Sequence, residues 1–489
     1  MIDRRDLLEL ANTLGLRPNV VEKDYILSWI LAGIYGDPEL ATAWVFKGGT
    51  CLKKCYFETY RFSEDLDFTI SDDAHASADF LKERFASVSE WVQERAGIEL
   101  PIDLLKFDLF QNKQGRPQGE GRIAYRGPLA PGGDLPRIKL DLTFHEKLVL
   151  PPVVRPVAHP YADRDEGDMQ ARCYAYPEVF GEKIRALGER ARPRDLYDVI
   201  NLFRNGEFRT AASVIRDVLR QKCAFKNIPV PTLAALEAFK AEITADWEQM
   251  LAHQLPQLPP VEAFWSALPE FFAWLEGGAE RAAVVPYRLG ANERVLRGPA
   301  GGLPIPYRAS SHIEIIRFAA TNQLLVELDY QDEKGQRSRR LIEPYSLRQS
   351  ANGDISLVAF ALNRNDWRHF RLDRIQGARV TSQSFTPRYE IELTPTGMLS
   401  APPISRPSPG TLAYRTSTPR QTNAPRSRQP RPARFKQTSY PGGPTYTYRC
   451  PVCRKTFQRK TMDPHLNPHK NKDGRPCPGT YGTYEGTRF

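Results

Sequence analysis

The sequence predicts a multidomain α+β protein: a mixed sheet with a helical lobe, then a small β-barrel, then a short terminal module. Two segments, 65–70 and 137–144, alternate apolar and polar residues, which is typical of strands with one buried face. Residues 176–280 carry apolar residues at helical spacing, and turn signals recur every ~8 to 12 residues beyond residue 310. With 489 residues the chain is too long for one core.

We expect six regions along the chain. They are the sheet-bearing core at 1–175, its helical lobe at 176–280, a linker at 281–309, the β-barrel at 310–397, a disordered basic proline-rich linker at 398–445, and the terminal module at 446–489. Within the first region the pattern predicts helices over 1–35, a strand at 44–47, a short helix from Leu52, the strand ending at Ile70, and a helix over about 78–95. The barrel strands are predicted at 324–329, 339–347, 355–362 and 370–375.

Charge and cysteine content restrict the class of protein. The chain carries a net charge of +10, and residues 401–489 hold 17 Lys and Arg against 3 Asp and Glu, so an anionic polymer is the expected partner of this tail. The sequence has no apolar run long enough for a membrane span, and its first residues lack the apolar core of a signal peptide. Seven scattered cysteines are poor material for disulfides. We therefore expect a cytoplasmic protein with reduced thiols.

The most informative motif is a carboxylate pair that follows a glycine turn. Asp65 and Asp67 lie on the polar face of their strand, about 7 Å apart, where they repel each other unless a cation lies between them. Mg²⁺ is the natural occupant of such a site. The turn Gly48-Gly49-Thr50 leaves backbone N–H groups available for a phosphate. Together these residues predict a site for nucleotidyl transfer.

The second alternating strand offers a third carboxylate. Its apolar face leaves Arg137, Lys139 and Asp141 on the other side. If the two strands are neighbours, Asp141 completes a triad that can bind two metal ions, one activating a hydroxyl and one neutralising the leaving pyrophosphate.

Several motifs in order resemble the AbiEii/AbiGii nucleotidyltransferase toxins of the DNA polymerase beta-like superfamily. They are Glu22–Tyr25, Gly48–Thr50, Arg61–Phe68, Pro177–Ala186 and Arg192–Asp198. The resemblance covers about residues 1–280. It implies a polymerase-beta-like fold, transfer of a nucleotide from an NTP, tRNA 3′ ends as the acceptor in some relatives, and a toxin–antitoxin or phage-defence setting with a cognate antitoxin or defence complex.

The resemblance also assigns roles to residues. Asp65, Asp67 and Asp141 would bind two Mg²⁺ ions, and Gly48, Gly49 and Thr50 would hold the triphosphate, with Arg61 and Ser63 as further nucleotide-binding residues. Lys183 would neutralise phosphate charge, and Asp198 or Asp195 would support the site from the helical lobe. Thr50 replaces the serine that is frequent in the wider superfamily; either hydroxyl suits the role.

Residues 311–395 resemble a WYL domain, an SH3-like barrel found in bacterial regulators, through segments 340–347 and 370–375. The Trp-Tyr-Leu tripeptide that names the family is replaced by residues 355–357, Ile-Ser-Leu. The resemblance implies a nucleotide or DNA ligand, bound by guanidinium groups that grip phosphate with two hydrogen bonds. The candidates are Arg340, Arg348, Arg371 and Arg374, and the alternative for Arg371 is a local pair with Asp373 or Glu343.

The terminal module carries a Cys-x-x-Cys pair, Cys450 and Cys453, with His465, His469 and Cys477 further along. Two thiolates and two further ligands at such spacing predict a tetrahedral Zn²⁺ site. Five candidates compete for four places. Proline residues interrupt the helix that a standard finger needs, so His469 and Cys477 remain alternatives as the fourth ligand beside His465.

The sequence thus favours a Mg²⁺-dependent nucleotidyltransferase that acts on RNA, with tRNA as the expected acceptor. Two alternatives stay open. One is a transferase that places AMP or UMP on a protein hydroxyl, and the other is a non-catalytic nucleic-acid-binding regulator of a defence system.

Overall fold

The computed structural model describes two compact units, at 1–409 and 410–489, and each is considered by itself. In the first unit it describes residues 1–395 except 58–59, 112–114, 130–131, 164–168, 206–210, 279–284, 291 and 297–306, and in the second unit residues 445–488 except 451, 460–465, 471–474 and 479–482. The predicted disordered linker at 398–445 therefore lies almost wholly outside the described residues, as does most of the linker predicted at 281–309.

A seven-stranded mixed sheet forms the first part of the larger unit. Its strand order is β3-β4-β5-β2-β1-β7-β6, with β2 parallel to β5 and β1 parallel to β7, while the other neighbours are antiparallel. The strands are β1 (Trp44–Lys47), β2 (Asp65–Ile70), β3 (Lys106–Gln111), β4 (Pro117–Ala124), β5 (Arg137–Phe144), β6 (Val153–Pro156) and β7 (Gln170–Cys173). The predicted mixed sheet is confirmed.

Helices surround this sheet and continue into a helical lobe. Helix α2 is buried on nearly all sides and is mostly apolar, as expected of a core helix. The helices are α1 (Arg4–Leu14), α2 (Pro18–Gly36), α3 (Pro38–Ala43), α4 (Gly48–Cys51), α5 (Ala78–Ala96), α6 (Tyr176–Arg190), α7 (Pro193–Arg204), α8 (Ala212–Lys226), α9 (Leu233–Glu237), α10 (Lys240–Leu251), α11 (Val261–Trp265) and α12 (Leu268–Leu275).

Strands β2 and β5 have the predicted one-sided burial. Leu66, Phe68 and Ile70 are at most 1% exposed, while Asp65 and Asp67 on the opposite face are only partly buried. Strand β5 shows the same alternation over its eight residues. The apolar faces join the core, so the carboxylates are left on the solvent side of the sheet.

The helix that the sequence placed from Leu52 begins earlier. Helix α4 starts at Gly48 and passes directly into a π-helical turn, Leu52–Tyr56, closed by a hydrogen bond of 2.7 Å from the Phe57 N–H to the Leu52 carbonyl. The glycine turn is therefore the first turn of a helix. Its helical start was obscured by two adjacent glycines, which are poor helix formers.

The second part of the larger unit is an antiparallel sheet with the strand order β12-β11-β10-β9-β13 and with β8 paired to β10. Its elements are β8 (Glu293–Val295), α13 (Tyr307–Thr321), β9 (Leu324–Gln331), β10 (Arg337–Ser350), β11 (Ile355–Ala361), β12 (Asp366–Arg371) and β13 (Ile375–Ser384). The single strand predicted at 370–375 is wrong. Strand β12 ends at Arg371, and a 3₁₀ turn with the buried Leu372 separates it from β13.

The smaller unit contains a three-stranded and a two-stranded sheet in its described part. The strands are β14 (Thr445–Arg449), β15 (Thr456–Arg459), β16 (His469–Lys470), β17 (Pro476–Cys477) and β18 (Thr483–Arg488). Within the described residues of the whole chain, helices that combine enough length with enough apolarity to cross a bilayer are absent.

Candidate active site

The three predicted carboxylates meet at one place on the sheet. Strands β2 and β5 run parallel, and their register sets Asp67 directly beside Asp141, with Asp65 beside Lys139. Neighbouring strands lie about 4.8 Å apart, so side chains on one face of such a pair are in reach of a shared ion. Asp65 and Asp67 are two residues apart on that same face. The three carboxylates therefore converge.

The glycine turn packs against this group because Gly48 and Gly49 lack a side chain. A Cβ atom on Gly48 would lie 2.0 Å from Oδ2 of Asp67, and the φ of Gly48 is +81°, in the region that favours glycine. A Cβ atom on Gly49 would lie 2.5 Å from Nη2 of Arg61 and 3.2 Å from Oγ of Ser63. The turn thus brings backbone next to the carboxylates and next to both additional nucleotide-binding candidates.

Thr50 fixes the turn to the strand that bears the carboxylates. Its hydroxyl donates a hydrogen bond of 2.5 Å to the backbone carbonyl of Asp65, and the residue is buried. In this structure the hydroxyl holds the turn against β2. The predicted contact of Thr50 with a triphosphate stays a prediction.

The electrostatics of the carboxylates favour a bound cation. Burial and the negative charge of Asp141 raise the pKa of Asp67 to about 6, and the same two causes raise the pKa of Asp65. Among the described residues, neither side chain has a hydrogen bond or an ion pair. Three carboxylates are hard oxygen donors of the kind that Mg²⁺ prefers. The donor set therefore fits a divalent ion, which would relieve their repulsion.

Two lysines beside the carboxylates were not singled out from the sequence. Lys139 forms ion pairs with Asp141 at 2.8 Å and with Glu120 at 3.3 Å. Lys47 ends β1 opposite Asp67 on β2, so the two side chains share a face. Burial lowers the pKa of Lys47, and the charges of nearby acids, Asp67 among them, counter that shift. The signal for Lys47 was its place at a strand end just before the glycine turn.

The remaining predicted residues of the first part form a buried ion network. Arg61 is 2% exposed and donates two hydrogen bonds, of 2.7 and 2.8 Å, to the carboxylate of Asp198. Lys183 lies 2.6 Å from the same carboxylate and 3.7 Å from Asp195. Burial alone would raise the pKa of Asp198, but the charges of Arg61 and Lys183 hold it far below its usual value. Tyr60 donates a further hydrogen bond of 2.8 Å to Asp198.

The four arginines predicted to bind phosphate occupy different environments. Arg348 is 1% exposed and donates to the backbone carbonyls of Tyr287 and Arg288, at 2.7 and 2.6 Å, so its guanidinium is turned to the interior. Arg371 forms the local pair with Asp373 that was the alternative, at 2.9 Å, and also pairs with Asp354. Arg374 pairs with the exposed Glu333 at 3.0 Å, and Arg340 is half-buried on β10. Arg348 is thus turned away from solvent, and phosphate binding by the other three arginines stays a prediction.

The terminal module gathers three thiols and one imidazole. The ligand atoms of Cys450, Cys453, His469 and Cys477 all lie within 4.8 Å of one another. The sulfur atoms of Cys450 and Cys477 are 3.7 Å apart, far beyond the ~2.05 Å of a disulfide. Two Zn–S bonds of ~2.3 Å at a tetrahedral angle give nearly this separation. His465, the fifth candidate, lies outside the described residues.

The state of His469 and Cys450 suits a metal. Nδ1 of His469 lies 3.0 Å from the backbone carbonyl of Asn467, while Nε2 is buried and has no hydrogen-bond partner within the described part of the chain. A histidine ligand typically directs one nitrogen to a carbonyl and the other to the ion. Backbone N–H groups of Cys453 and Val452 lower the pKa of Cys450 to about 6. The cluster is thus compatible with zinc.

Comparison with known families identifies the first part of the chain. The model of the nucleotidyl transferase AbiEii toxin family matches residues 29–276, about half of the chain. The toxins of this family belong to type IV toxin–antitoxin systems. The chain therefore belongs to this family and is a nucleotidyltransferase of the toxin class. The model of the WYL domain matches residues 311–380, so the antiparallel sheet of the first unit is a WYL domain.

Two bacterial proteins are among the solved structures to which the chain is similar. MenT4, a nucleotidyltransferase toxin of Mycobacterium tuberculosis H37Rv, is 21% identical, with a TM-score of 0.41 over 56% of this chain and 90% of its own. JHP933 of Helicobacter pylori is 16% identical, with a TM-score of 0.35 over 54% of this chain and 94% of its own.

Proposed function

We propose that this protein is a Mg²⁺-dependent nucleotidyltransferase toxin that transfers NMP from an NTP to RNA, with the 3′ end of tRNA as acceptor, in defence against phage. The observation that carries the chemistry is the register of β2 and β5, which sets Asp67 beside Asp141 with Asp65 on the same face. Family membership supports the reaction class.

Asp65, Asp67 and Asp141 would hold the divalent ions. When bound, such ions lower the pKa of an attacking hydroxyl and neutralise charge on the leaving pyrophosphate. The raised pKa of Asp67 supports this assignment, because a carboxylate that is destabilised by burial and by two neighbouring carboxylates gains more from a bound cation than an isolated one does. Lys139 would keep Asp141 oriented through its 2.8 Å ion pair.

The glycine turn and two lysines would bind the triphosphate. Gly48 and Gly49 bring backbone next to the carboxylates, and their N–H groups would receive the phosphates there. Lys47 shares a face with Asp67 and would neutralise phosphate charge from the β1 side. Lys183 would do so from the lobe, while Arg61 and Asp198 hold it in place.

An RNA acceptor fits the charge distribution. The last 89 residues carry a net charge of +14, which favours contact with a phosphate backbone. The terminal cluster would bind one structural Zn²⁺ through Cys450, Cys453, His469 and Cys477, and such small modules fold around their metal. The WYL domain would sense a nucleic acid or nucleotide that regulates transfer.

The test is a labelling assay with the full chain. Protein, Mg²⁺ and each of four radiolabelled NTPs are incubated with total tRNA or with tRNA whose 3′-terminal diol has been oxidised by periodate. We expect label on intact tRNA and none on oxidised tRNA. Asp65→Asn/Asp67→Asn should reduce labelling by at least ~100-fold, the scale of losing charge stabilisation in a transition state.

A matched control is Asp79→Asn, which changes an exposed carboxylate in the first turn of α5 and should label tRNA as the wild type does. A bacterial lysate in a parallel reaction tests protein acceptors. Label on proteins rather than on RNA would mean that the acceptor is a protein. Equal labelling by the double variant and the wild type would refute the assignment of the carboxylates.

A further inference from the structure

A second cysteine cluster lies inside the first unit, apart from the carboxylates. The sulfur atoms of Cys51, Cys55 and Cys173 all lie within 4.8 Å of one another. These residues are 0%, 4% and 0% exposed. Cys51 ends α4, Cys55 lies in the π-helical turn and Cys173 ends β7, so three separate elements contribute one thiol each.

The fold brings these thiols together in a defined way. Strands β1 and β7 are parallel with Phe46 beside Cys173, and the Tyr174 N–H donates a 3.0 Å hydrogen bond to the Phe46 carbonyl. The chain then turns at the glycines and presents Cys51 and Cys55, four residues apart, on one side of the helical segment. π-helical turns of this kind occur frequently at functional sites.

The surroundings supply positive charge to the cluster. Arg155 donates a hydrogen bond of 2.6 Å to the Cys55 carbonyl, and its guanidinium lies 4.4 Å from the ring centroid of Tyr56. The Tyr56 hydroxyl is engaged with the Tyr174 carbonyl at 2.6 Å. Arg155 can therefore offset part of the negative charge of thiolates at this place, which an interior otherwise disfavours.

Cys223 shows how an ordinary buried cysteine in this chain differs. It is 1% exposed, belongs to neither cluster, and burial raises its pKa to about 11. Within the cluster, hydrogen bonds from the thiols of Cys51 and Cys55 lower the pKa of Cys173 to about 4, while the pKa values of Cys51 and Cys55 themselves are raised, through burial for Cys51 and through the hydrogen bond to Cys173 for Cys55. A single buried thiol behaves as a small apolar side chain, whereas three convergent sulfurs form a soft donor set.

We propose that Cys51, Cys55 and Cys173 form a three-thiolate site for a thiophilic d¹⁰ metal ion, either Zn²⁺ or Cu⁺. Binding forms three metal–sulfur bonds and releases to solvent the protons of those thiols that were still protonated. The ion joins the helix that follows the glycine turn to β7. It thereby stabilises the segment that carries Gly48, Gly49 and Thr50.

The experiment uses the full chain carrying Cys450→Ser/Cys453→Ser/Cys477→Ser, which removes the terminal thiols and leaves four cysteines. The reduced protein is titrated with Cd²⁺, and thiolate-to-cadmium charge-transfer absorption is followed. We expect saturation at one Cd²⁺ per chain. Zn²⁺ and Cu⁺, added separately as competitors, identify the preferred ion by the concentration that abolishes the absorption.

Two further variants give the controls. Cys223→Ala in the same background should keep the full signal, and Cys51→Ala/Cys173→Ala should lose it. Free thiols are counted after denaturation without reductant, so that a disulfide is detected independently of metal. An absent signal in the folded triple variant, a count of two thiols instead of four, or a signal that survives Cys51→Ala/Cys173→Ala would each overturn the proposal.

Discussion

Two groups of charged residues in the first unit differ in how their charges are compensated. On the sheet, Asp65 and Asp67 lie beside Asp141, and the pKa of Asp67 is raised to about 6. In the helical lobe, Asp198 is fully buried but is compensated by the positive charges of Arg61 and Lys183, and its pKa is lowered. Like charges are gathered in the first group, and opposite charges are paired in the second.

This difference in charge compensation distinguishes a site that needs a ligand from a network that supports the fold. A buried charge that has its partner within the protein is compensated in place, and removing one partner is costly because the other charge is left buried and unpaired. Gathered like charges destabilise the fold until an external cation joins them. We therefore interpret the carboxylates as the site and the Asp198 network as the support that holds Lys183.

The largest loss of stability is expected from a change in the network around Asp198. Asp198→Asn keeps the shape of the side chain but leaves Arg61 and Lys183 without their shared anion. We expect a loss of about 3 to 5 kcal/mol of stability, because two buried cations lose their compensation. Thermal unfolding of the full chain measures it, with Asp79→Asn as the control. An unchanged midpoint for Asp198→Asn would remove the distinction drawn here.

The second prediction is a gain of stability on substitution. Without divalent ions, Asp67→Asn should stabilise the protein by about 1 to 2 kcal/mol at pH 7.5, because a neutral amide no longer repels Asp65 and Asp141. The same thermal unfolding assay, run in chelator, decides it. Destabilisation by Asp67→Asn would indicate that the carboxylate has a structural partner.

The pH dependence of stability and of divalent-ion affinity tests the charge of Asp67 further. The pKa of Asp67 is about 6 in the folded state and near its ordinary value of 3.8 when unfolded, so between these values the folded state binds more protons. In chelator, the stability of the wild type relative to that of Asp67→Asn should therefore fall as pH rises from 4 to 6. Divalent-ion affinity should change the other way, falling about tenfold per pH unit below 6, since one proton competes. Mn²⁺ binding followed by electron paramagnetic resonance checks the second effect, and a flat profile would contradict it.

The smallest effect is expected for a surface pair in the WYL domain. Arg371 is about one-third exposed and paired with Asp354 and Asp373, so Arg371→Gln should shift the unfolding midpoint by no more than ~1 °C. Arg348→Gln should lower it clearly more, because its guanidinium is buried on backbone carbonyls. Similar shifts for the two variants would mean that burial does not rank these arginines.

Local patterns allowed much of the sheet to be predicted. Strand β5 was predicted within its observed bounds, because apolar and polar residues alternate over its whole length. Strand β4 was missed because it carries Gly119 and Gly121, and glycine is depleted in strands. These glycines are required by packing: a Cβ on Gly121 would lie 2.7 Å from the ring of Phe107. Such a requirement becomes visible only when the neighbouring strand is in place.

Prediction of the site residues from the sequence has the same limit. The carboxylates and the glycine turn could be predicted, since spacing along two strands determines which face they share. The partners of Arg61 could not, because Asp198 is 137 positions away and Gln254 is 193 away along the chain. In the same way Cys173 joins Cys51 and Cys55 only through the pairing of β1 and β7. For the terminal cluster, spacing gave five candidates, and strand pairing of His469 with Cys477 brings those two together.

The effect of Mg²⁺ on stability tests most directly whether the three carboxylates are the metal site. Thermal unfolding at pH 7.5 is followed for the wild type and for Asp67→Asn, each in chelator and in excess Mg²⁺. We predict that Mg²⁺ raises the stability of the wild type by about 1 to 3 kcal/mol, as expected for a ligand in excess over its Kd, and leaves Asp67→Asn nearly unchanged. Equal stabilisation of both proteins, or of neither, would contradict the assignment of these carboxylates as the metal site.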